Sequence, residues 1–281
     1  MDTEQVRTFL TVVARGSFLE AAGRLHVTQS TVSARIQALE TRLGARLFVR
    51  NRAGASLTPE GRRFVRHAKS LMLTVAQALQ DVGLPRRFSA SLRVGARIAL
   101  WEGYLPRWVG LMRATAPDVS IGCEIGFEED LMQRMVEGTL DLALMYTPQH
   151  APGLHVERLF DETLVLVSTD AAQRDPDDRY VYVDWGPAFD LQHAASYPGL
   201  ERTALTANIG WLAVQLVVAN GGSCFLPERM AAPEVAAGRL FVVPDSPRYR
   251  HPAYLVHPLD SDSPVLERAV SALREMAKDL A

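Results

Sequence analysis

The chain is 281 residues long, 48% hydrophobic and 22% charged, with a formal net charge of −2. These figures exclude a disordered, collagen-like or disulfide-stapled chain and point to two globular domains. No run approaches the ~20 apolar residues of a bilayer span, and Asp2, Glu4, Arg7 and Arg15 stand where a signal peptide is apolar, so a cytoplasmic location is expected. Cys123 and Cys224 are the only cysteines, and both read as buried free thiols. The small net charge conceals a division. Residues 1–87 carry 14 Lys and Arg against 6 Asp and Glu, a net +8, whereas the other 194 carry 16 against 26, a net −10. A basic head on an acidic body confines any polyanion to the head.

Along the head, Val6, Phe9, Leu10 and Val13 have the i, i+3, i+4, i+7 spacing of one buried helical face, and the pattern stops at Gly16. Ser17-Phe18-Leu19-Glu20 reads as a capping box opening a second short helix, which buries Ala21, Ala22 and Leu25. After a break at His26-Val27, Thr28 is an N-cap for a third helix with Val32, Ile36, Leu39 and Leu43 on one stripe. Thr28, Gln29, Ser30, Thr31, Ser33 and Arg35 then fall on or before its opposite face. A slim first turn rich in donors and acceptors is what a helix inserted in the major groove requires. Residues 47–57 read as a hairpin with a glycine tip, a wing whose Arg50 and Arg52 suit phosphate or minor-groove contact.

The run from Phe9 to Gly61 carries Gly16-Ser17-Phe18, Ala21-Ala22, Leu25-His26-Val27-Thr28-Gln29-Ser30-Thr31-Val32-Ser33, Ile36-Gln37-Ala38-Leu39-Glu40, Leu43-Gly44-Ala45-Arg46-Leu47-Phe48-Val49-Arg50 and Leu57-Thr58-Pro59-Glu60-Gly61. It resembles the winged helix-turn-helix of LysR-type transcriptional regulators. Thr31 and Ala34-Arg35 depart from residues common in that family, on the exposed face that meets the operator.

Thr58-Pro59-Glu60 marks the start of a linker helix. Within it Phe64, Ala68, Leu71, Val75, Ala78 and Val82 recur at spacings of 4, 3, 4, 3 and 4, the seam of a coiled coil. Such a stripe either packs on its own domain or pairs two chains; the resemblance implies pairing, as a homodimer or homotetramer. Gly83-Leu84-Pro85 ends the helix, and the hinge runs to about residue 91.

From residue 92 the pattern changes. Residues 92–96, 121–125, 141–146, 164–168, 181–184, 223–226, 241–243 and 254–257 read as strands, and 103–114, 130–138, 210–219 and 264–280 as helices. The alternation argues for one or two mostly parallel α/β sheets. The resemblance implies an α+β multidomain chain: a winged helix-turn-helix over 1–58, a linker helix and hinge over 59–90, and an effector domain over 91–281. It also implies two Rossmann-like subdomains in that domain, as in type II periplasmic binding proteins. One spans about 91–163 plus 260–281 and the other about 164–259, with a small effector in the cleft. Carried onto that fold, the cleft loops bear Arg97, Ile98, Ala99, Trp101, Phe127, Tyr146, Thr147, Trp185, Asn208 and Ile209. Arg97 and the bulky Trp101 suit an anionic effector, with Asn208 an N-cap whose helix offers free amides. Arg97 is alternatively a partner of Glu102 or another acid.

No GxxxxGK[ST], HExxH or GxSxG is present, and His251 and His257 find no third ligand at metal-site spacing, so neither enzyme activity, metal nor cofactor is expected. The reading that follows is a sequence-specific regulator of double-stranded operator DNA controlled by a small molecule, without a membrane partner. RNA polymerase is left open as a further partner. The alternatives are a solute-binding protein or enzyme with an accessory basic module, and a sequence-independent nucleoid protein.

Overall fold

The computed structural model describes residues 2–51, 54–83, 85, 87–200 and 204–280. The head opens with α1 (Thr3–Arg15), α2 (Phe18–Leu25) and α3 (Gln29–Leu43). Asp2 and Gln5 close a capping box on α1 that the sequence reading did not include. Ser17 accepts the Glu20 amide at 3.4 Å, and Thr28 that of Thr31 at 3.2 Å. The turn between α2 and α3 is made by His26 in the left-handed region. A hairpin of β1 (Phe48–Asn51) and β2 (Gly54–Leu57) follows. At its turn a Cβ on Gly54 would lie 2.6 Å from the Gly16 carbonyl, in a positive-φ backbone, so the wing is pinned to the end of α1 only because glycine stands there. Phe9, Leu10, Val32, Ile36, Leu39 and Phe48 form the head's core, with Phe9 5.3 Å from Phe48 and 5.1 Å from Phe64 between ring centroids.

The linker helix α4 (Pro59–Gly83) is a single helix, capped where the Thr58 hydroxyl accepts the Gly61 amide at 2.9 Å. Its expected seam is divided. Ala68 is fully buried and Phe64 half-buried, both in the head's own core beside Val65 and Met72. Leu71, Ala78 and Val82 are exposed, Val82 at 90%, and Val75 is half-buried. The assignment of Phe64 and Ala68 to a dimer seam is therefore corrected: α1 and the wing already occupy that part of the stripe.

The body alternates β3 (Ala90–Ala96), α5 (Ile98–Trp101), α6 (Leu105–Thr115), β4 (Val119–Ile125), α7 (Glu128–Glu137), β5 (Leu142–Met145) and β6 (Leu154–Ser168). It continues with β7 (Val181–Val183), α8 (Pro187–Ser196), β8 (Leu205–Ala207), α9 (Gly210–Asn220), β9 (Ser223–Pro227), α10 (Glu228–Ala236), β10 (Phe241–Val242), β11 (Tyr249–Pro258) and α11 (Pro264–Ala277). The main sheet runs β10-β6-β11-β5-β3-β4, with β9 also on β6, while β7 and β8 pair apart. Only β3 with β4 and β5, and β7 with β8, are parallel; β6, β9, β10 and β11 pair antiparallel, so the mostly parallel expectation is corrected. The cause is β6 and β11, long strands running in opposite directions through both lobes. One lobe gathers β3, β4 and β5 with α6, α7 and α11; the other gathers β7, β8 and β9 with α8, α9 and α10. Trp108 donates to the Ala269 carbonyl at 3.2 Å and Tyr104 to that of Leu273 at 2.9 Å, closing α6 on α11. Cys224 is buried as expected, whereas Cys123 is exposed on the edge strand β4. Among the described residues no helix is long and apolar enough to cross a membrane.

Candidate nucleic-acid interface and ligand cleft

At the start of α3, Thr28, Gln29 and Ser30 are exposed and Thr31 and Ser33 are half-exposed. The hydroxyls of Ser30 and Thr31 each lie 2.8 Å from that of Thr28, which gathers three small polar groups in one turn. Such a turn is narrow enough for the major groove and offers donors and acceptors to base edges and phosphates. Arg35 departs from expectation. Its guanidinium lies 3.2 Å from Glu4 and 3.4 Å from the Thr8 hydroxyl, so it ties α3 to α1 instead of pointing to the reading face. The side chain of Arg50, and Arg52 altogether, lie outside the described residues. Glu40, which sequence reasoning passed over, accepts the amides of Leu47 and Phe48 at 2.7 and 3.2 Å and thereby sets where the wing begins.

In the body, a cavity of about 230 Å³ opens between the lobes, lined by Arg97, Phe127, Glu128, Tyr146, Thr147, Asp184, Trp185, Gly186, Pro187 and Asn208. Six of the ten sequence candidates thus meet there: Arg97, Phe127, Tyr146, Thr147, Trp185 and Asn208. Four do not line it. Ala99 is buried, Ile98 is half-buried in α5, and Trp101 donates to the Glu124 carbonyl at 2.9 Å and packs on the core. Ile209 takes the N-cap position expected of Asn208 and, being aliphatic, gives α9 no side-chain cap bond. Gly210 at that helix start is in close contact with Trp185: a Cβ there would lie 2.6 Å from the indole, so glycine lets the helix end reach the cleft wall.

Arg97 is largely buried, 3.3 Å from Glu128, with its guanidinium 4.5 Å from the Phe127 ring centre. The partner is therefore Glu128 in the first turn of α7 and not Glu102. Glu102 sits over a second charged group under the cleft, where burial pushes its carboxyl up to about 7 against the pull of Arg229. There Arg229 of α10 bonds Glu162 of β6 and donates to the Ala99 carbonyl at 2.9 Å. Glu162 is 5% exposed, and burial raises its pKa even with Arg229 bound. His251 of β11 stacks 4.1 Å from Tyr146, and burial, with the Arg97 charge, lowers its pKa to about 4. Glu128 in the lining, and Glu162, Arg229 and His251 beneath it, were missed; the acid pair Asp161-Glu162 just ahead of the apolar run 164–167 was the available signal for Glu162.

A winged helix-turn-helix joined by one long helix to a two-lobed domain with a cleft of small-molecule size is the build of a DNA-binding protein that responds to a ligand. Residues 3–62 match the bacterial regulatory helix-turn-helix protein family of LysR type, and residues 85–278 match the LysR substrate binding domain. The chain is 32% identical to the HTH-type transcriptional regulator HdfR of Yersinia pestis (strain Pestoides F) over 280 residues, 95% of this chain and 94% of that one. It superposes on ArgP of Mycobacterium tuberculosis with a TM-score of 0.61 at 24% identity, covering 100% and 98% of the two chains. Full-length LysG of Corynebacterium glutamicum, solved with bound effector Arg, gives 0.61 at 21% identity and 99% of both chains. The chain belongs to the LysR family: it is a DNA-binding transcriptional regulator with a C-terminal effector-binding domain, and not an enzyme.

Proposed function

We propose that this regulator reads a two-fold operator as a dimer or tetramer of its own chain, in the cytoplasm, and that an effector bearing a carboxylate enters the cleft at Arg97. RNA polymerase is the partner through which such a bound regulator would act on transcription. The observation that carries the effector reading is Arg97, held on Phe127 and lining a cavity that also takes in Asn208, two residues before α9 begins. A largely buried guanidinium in a small cavity favours a carboxylate. Glu128 and Asp184, which also line the cavity, favour a ligand with a positive end as well, an amino-acid-like zwitterion. The bound Arg of the LysG structure is of that chemistry. Pairing of chains falls to the exposed half of α4, from Leu71 to Val82, because Leu71, Ala78 and Val82 are exposed there among the described side chains. For base reading, Gln29 is the residue with the reach for an adenine edge.

Calorimetric titration with a panel of amino acids and simple carboxylates tests the cleft. A hit should bind wild type and lose at least about tenfold in affinity in Arg97→Ala, roughly the value of one charge-assisted bond. A hit that binds both equally, or a purely cationic hit, overturns the assignment. On DNA, Gln29→Ala should relax preference at one base position by about 1–3 kcal/mol while leaving non-specific binding unchanged.

A further inference from the structure

On the α11 side of the body, where β6 and β11 enter the first lobe, three ligand-bearing side chains converge. His155 and His257 stand directly opposite one another in the β6–β11 register, and Glu157, two residues along β6, faces the same way. One ligand atom from each lies within 4.8 Å of the other two, and the imidazole centres are 5.1 Å apart. The tautomer of neutral His257 is set by its neighbour. Nδ1 lies 2.8 Å from the Pro258 carbonyl, which only accepts, so Nδ1 carries a hydrogen and, in the neutral ring, Nε2 presents its lone pair. That Nε2 is buried without a hydrogen-bond partner and sits 3.6 Å from Glu157 Oε1, another acceptor. Two acceptors facing each other across that gap call for a cation between them.

We propose that His155, Glu157 and His257 form a site for a first-row divalent transition metal of the zinc class, clamping β6 to β11. The donor set of two imidazoles and a carboxylate suits such an ion, and a tetrahedral site with bonds of ~2.0–2.1 Å places its ligands ~3.3 Å apart. An Nδ1–H held by a backbone carbonyl is also the usual outer partner of a ligating histidine. Arg274 of α11 grips Glu157 at 2.9–3.2 Å, which orients the carboxylate and leaves it further lone pairs for a metal. All three side chains are partly exposed, which leaves an approach for water as the fourth ligand. No spacing in the sequence reveals the site, because register across two strands brings together residues about a hundred positions apart.

The test uses the full untagged chain, stripped with chelator and titrated with zinc chloride. Wild type should take up one zinc per chain and melt at a higher temperature when loaded, since an ion that binds only the folded form stabilises it. His155→Ala, His257→Ala and Glu157→Gln should each lose zinc affinity by more than the ~10–100-fold that loss of an outer partner causes. Melting without metal shows whether each variant folds, and visible absorption of the cobalt-loaded wild type gives a readout independent of any variant. Zinc uptake by His257→Ala equal to wild type, a six-coordinate cobalt spectrum unchanged by the substitutions, or no zinc uptake by wild type would each overturn the proposal. So would an NMR titration showing His257 doubly protonated and paired with Glu157 at neutral pH.

Discussion

His251 shows what one buried side chain behind the cleft costs the fold. It is 4% exposed, stacked on Tyr146, and its Nε2 has no hydrogen-bond partner, so burial and the nearby Arg97 charge hold its pKa at about 4. The unfolded chain takes up a proton near the ordinary value of 6.5 while the folded one does not, so between pH 6.5 and 4 the unfolded state binds more protons and stability falls with pH. A difference of that size corresponds to on the order of 3 kcal/mol once pH is below 4. His251→Phe keeps a ring against Tyr146 and Trp185 but has nothing to protonate. Urea unfolding at pH 7 and pH 4.5 should therefore show a smaller acid loss in the variant than in wild type. Glu102 and Glu162 act in the opposite direction, their raised carboxyls favouring the fold as pH drops, but they contribute equally to both proteins and cancel in the difference. An equal loss in the two proteins would mean that His251 is protonated in the folded state.

At the scale of elements, α4 is two things in sequence. Residues from Phe64 to Met72 complete the head, while Leu71, Ala78 and Val82 present an uncovered apolar stripe. Leu71→Asp, on that stripe and 39% exposed, should leave the head folded and reduce chain pairing, because a charge in a closed seam is desolvated without a partner. Ala68→Asp, at a fully buried site of the head core, should instead unfold the head. Light scattering and circular dichroism on the pair separate the two halves of the helix; a Leu71→Asp chain that still associates as wild type would place the seam elsewhere. The same helix marks the limit of what the sequence revealed. Its 4, 3, 4, 3 spacing was legible, but a periodic stripe is identical whether a helix meets its own domain or another chain. The caps and apolar stripes of α1, α2 and α3 were legible because they are local. In the body β6 was recognised only over 164–168, since His155, Glu157, Arg158, Asp161 and Glu162 break the alternation that marks a strand. Those polar residues are there because β6 carries ion pairs with β11, α10 and α11. The cleft was half legible for the same reason: loops at strand ends could be counted off, but Arg229 and Glu128 arrive from helices whose placement only tertiary packing decides.

Across the whole molecule, the head and the body meet in one chain through α7. Arg15 pairs with Glu129, Arg24 lies 3.3 Å from Asp130, and Val136 joins the apolar core of the head. The seam is loosely filled. Cavities of about 250 and 260 Å³ flank Lys69, whose buried ammonium has no hydrogen-bond partner and is brought down to about 8 by burial. Two exposed ion pairs contribute about 0–1 kcal/mol each, so this contact is of a strength that a ligand can shift. The start of α3 stays uncovered, with Thr28, Gln29 and Ser30 exposed, so the closed chain still offers its reading edge. Glu128 is bound to Arg97 in the cleft, while the next two residues of α7, Glu129 and Asp130, hold the head. A carboxylate that takes Arg97 from Glu128 thus acts on the same helical turn that sets the head's position. The double variant Glu129→Lys with Asp130→Lys places like charges against Arg15 and Arg24. It should widen the chain in small-angle scattering and leave affinity for a single half-site unchanged. It should also weaken binding to a two-fold site, because two heads no longer held at fixed separation lose effective concentration for the second half-site. Effector binding in the cleft should persist in calorimetry while its influence on operator affinity disappears. Effector response retained at full size in a chain whose seam is open would show that the signal reaches DNA through α4 and the partner chain instead.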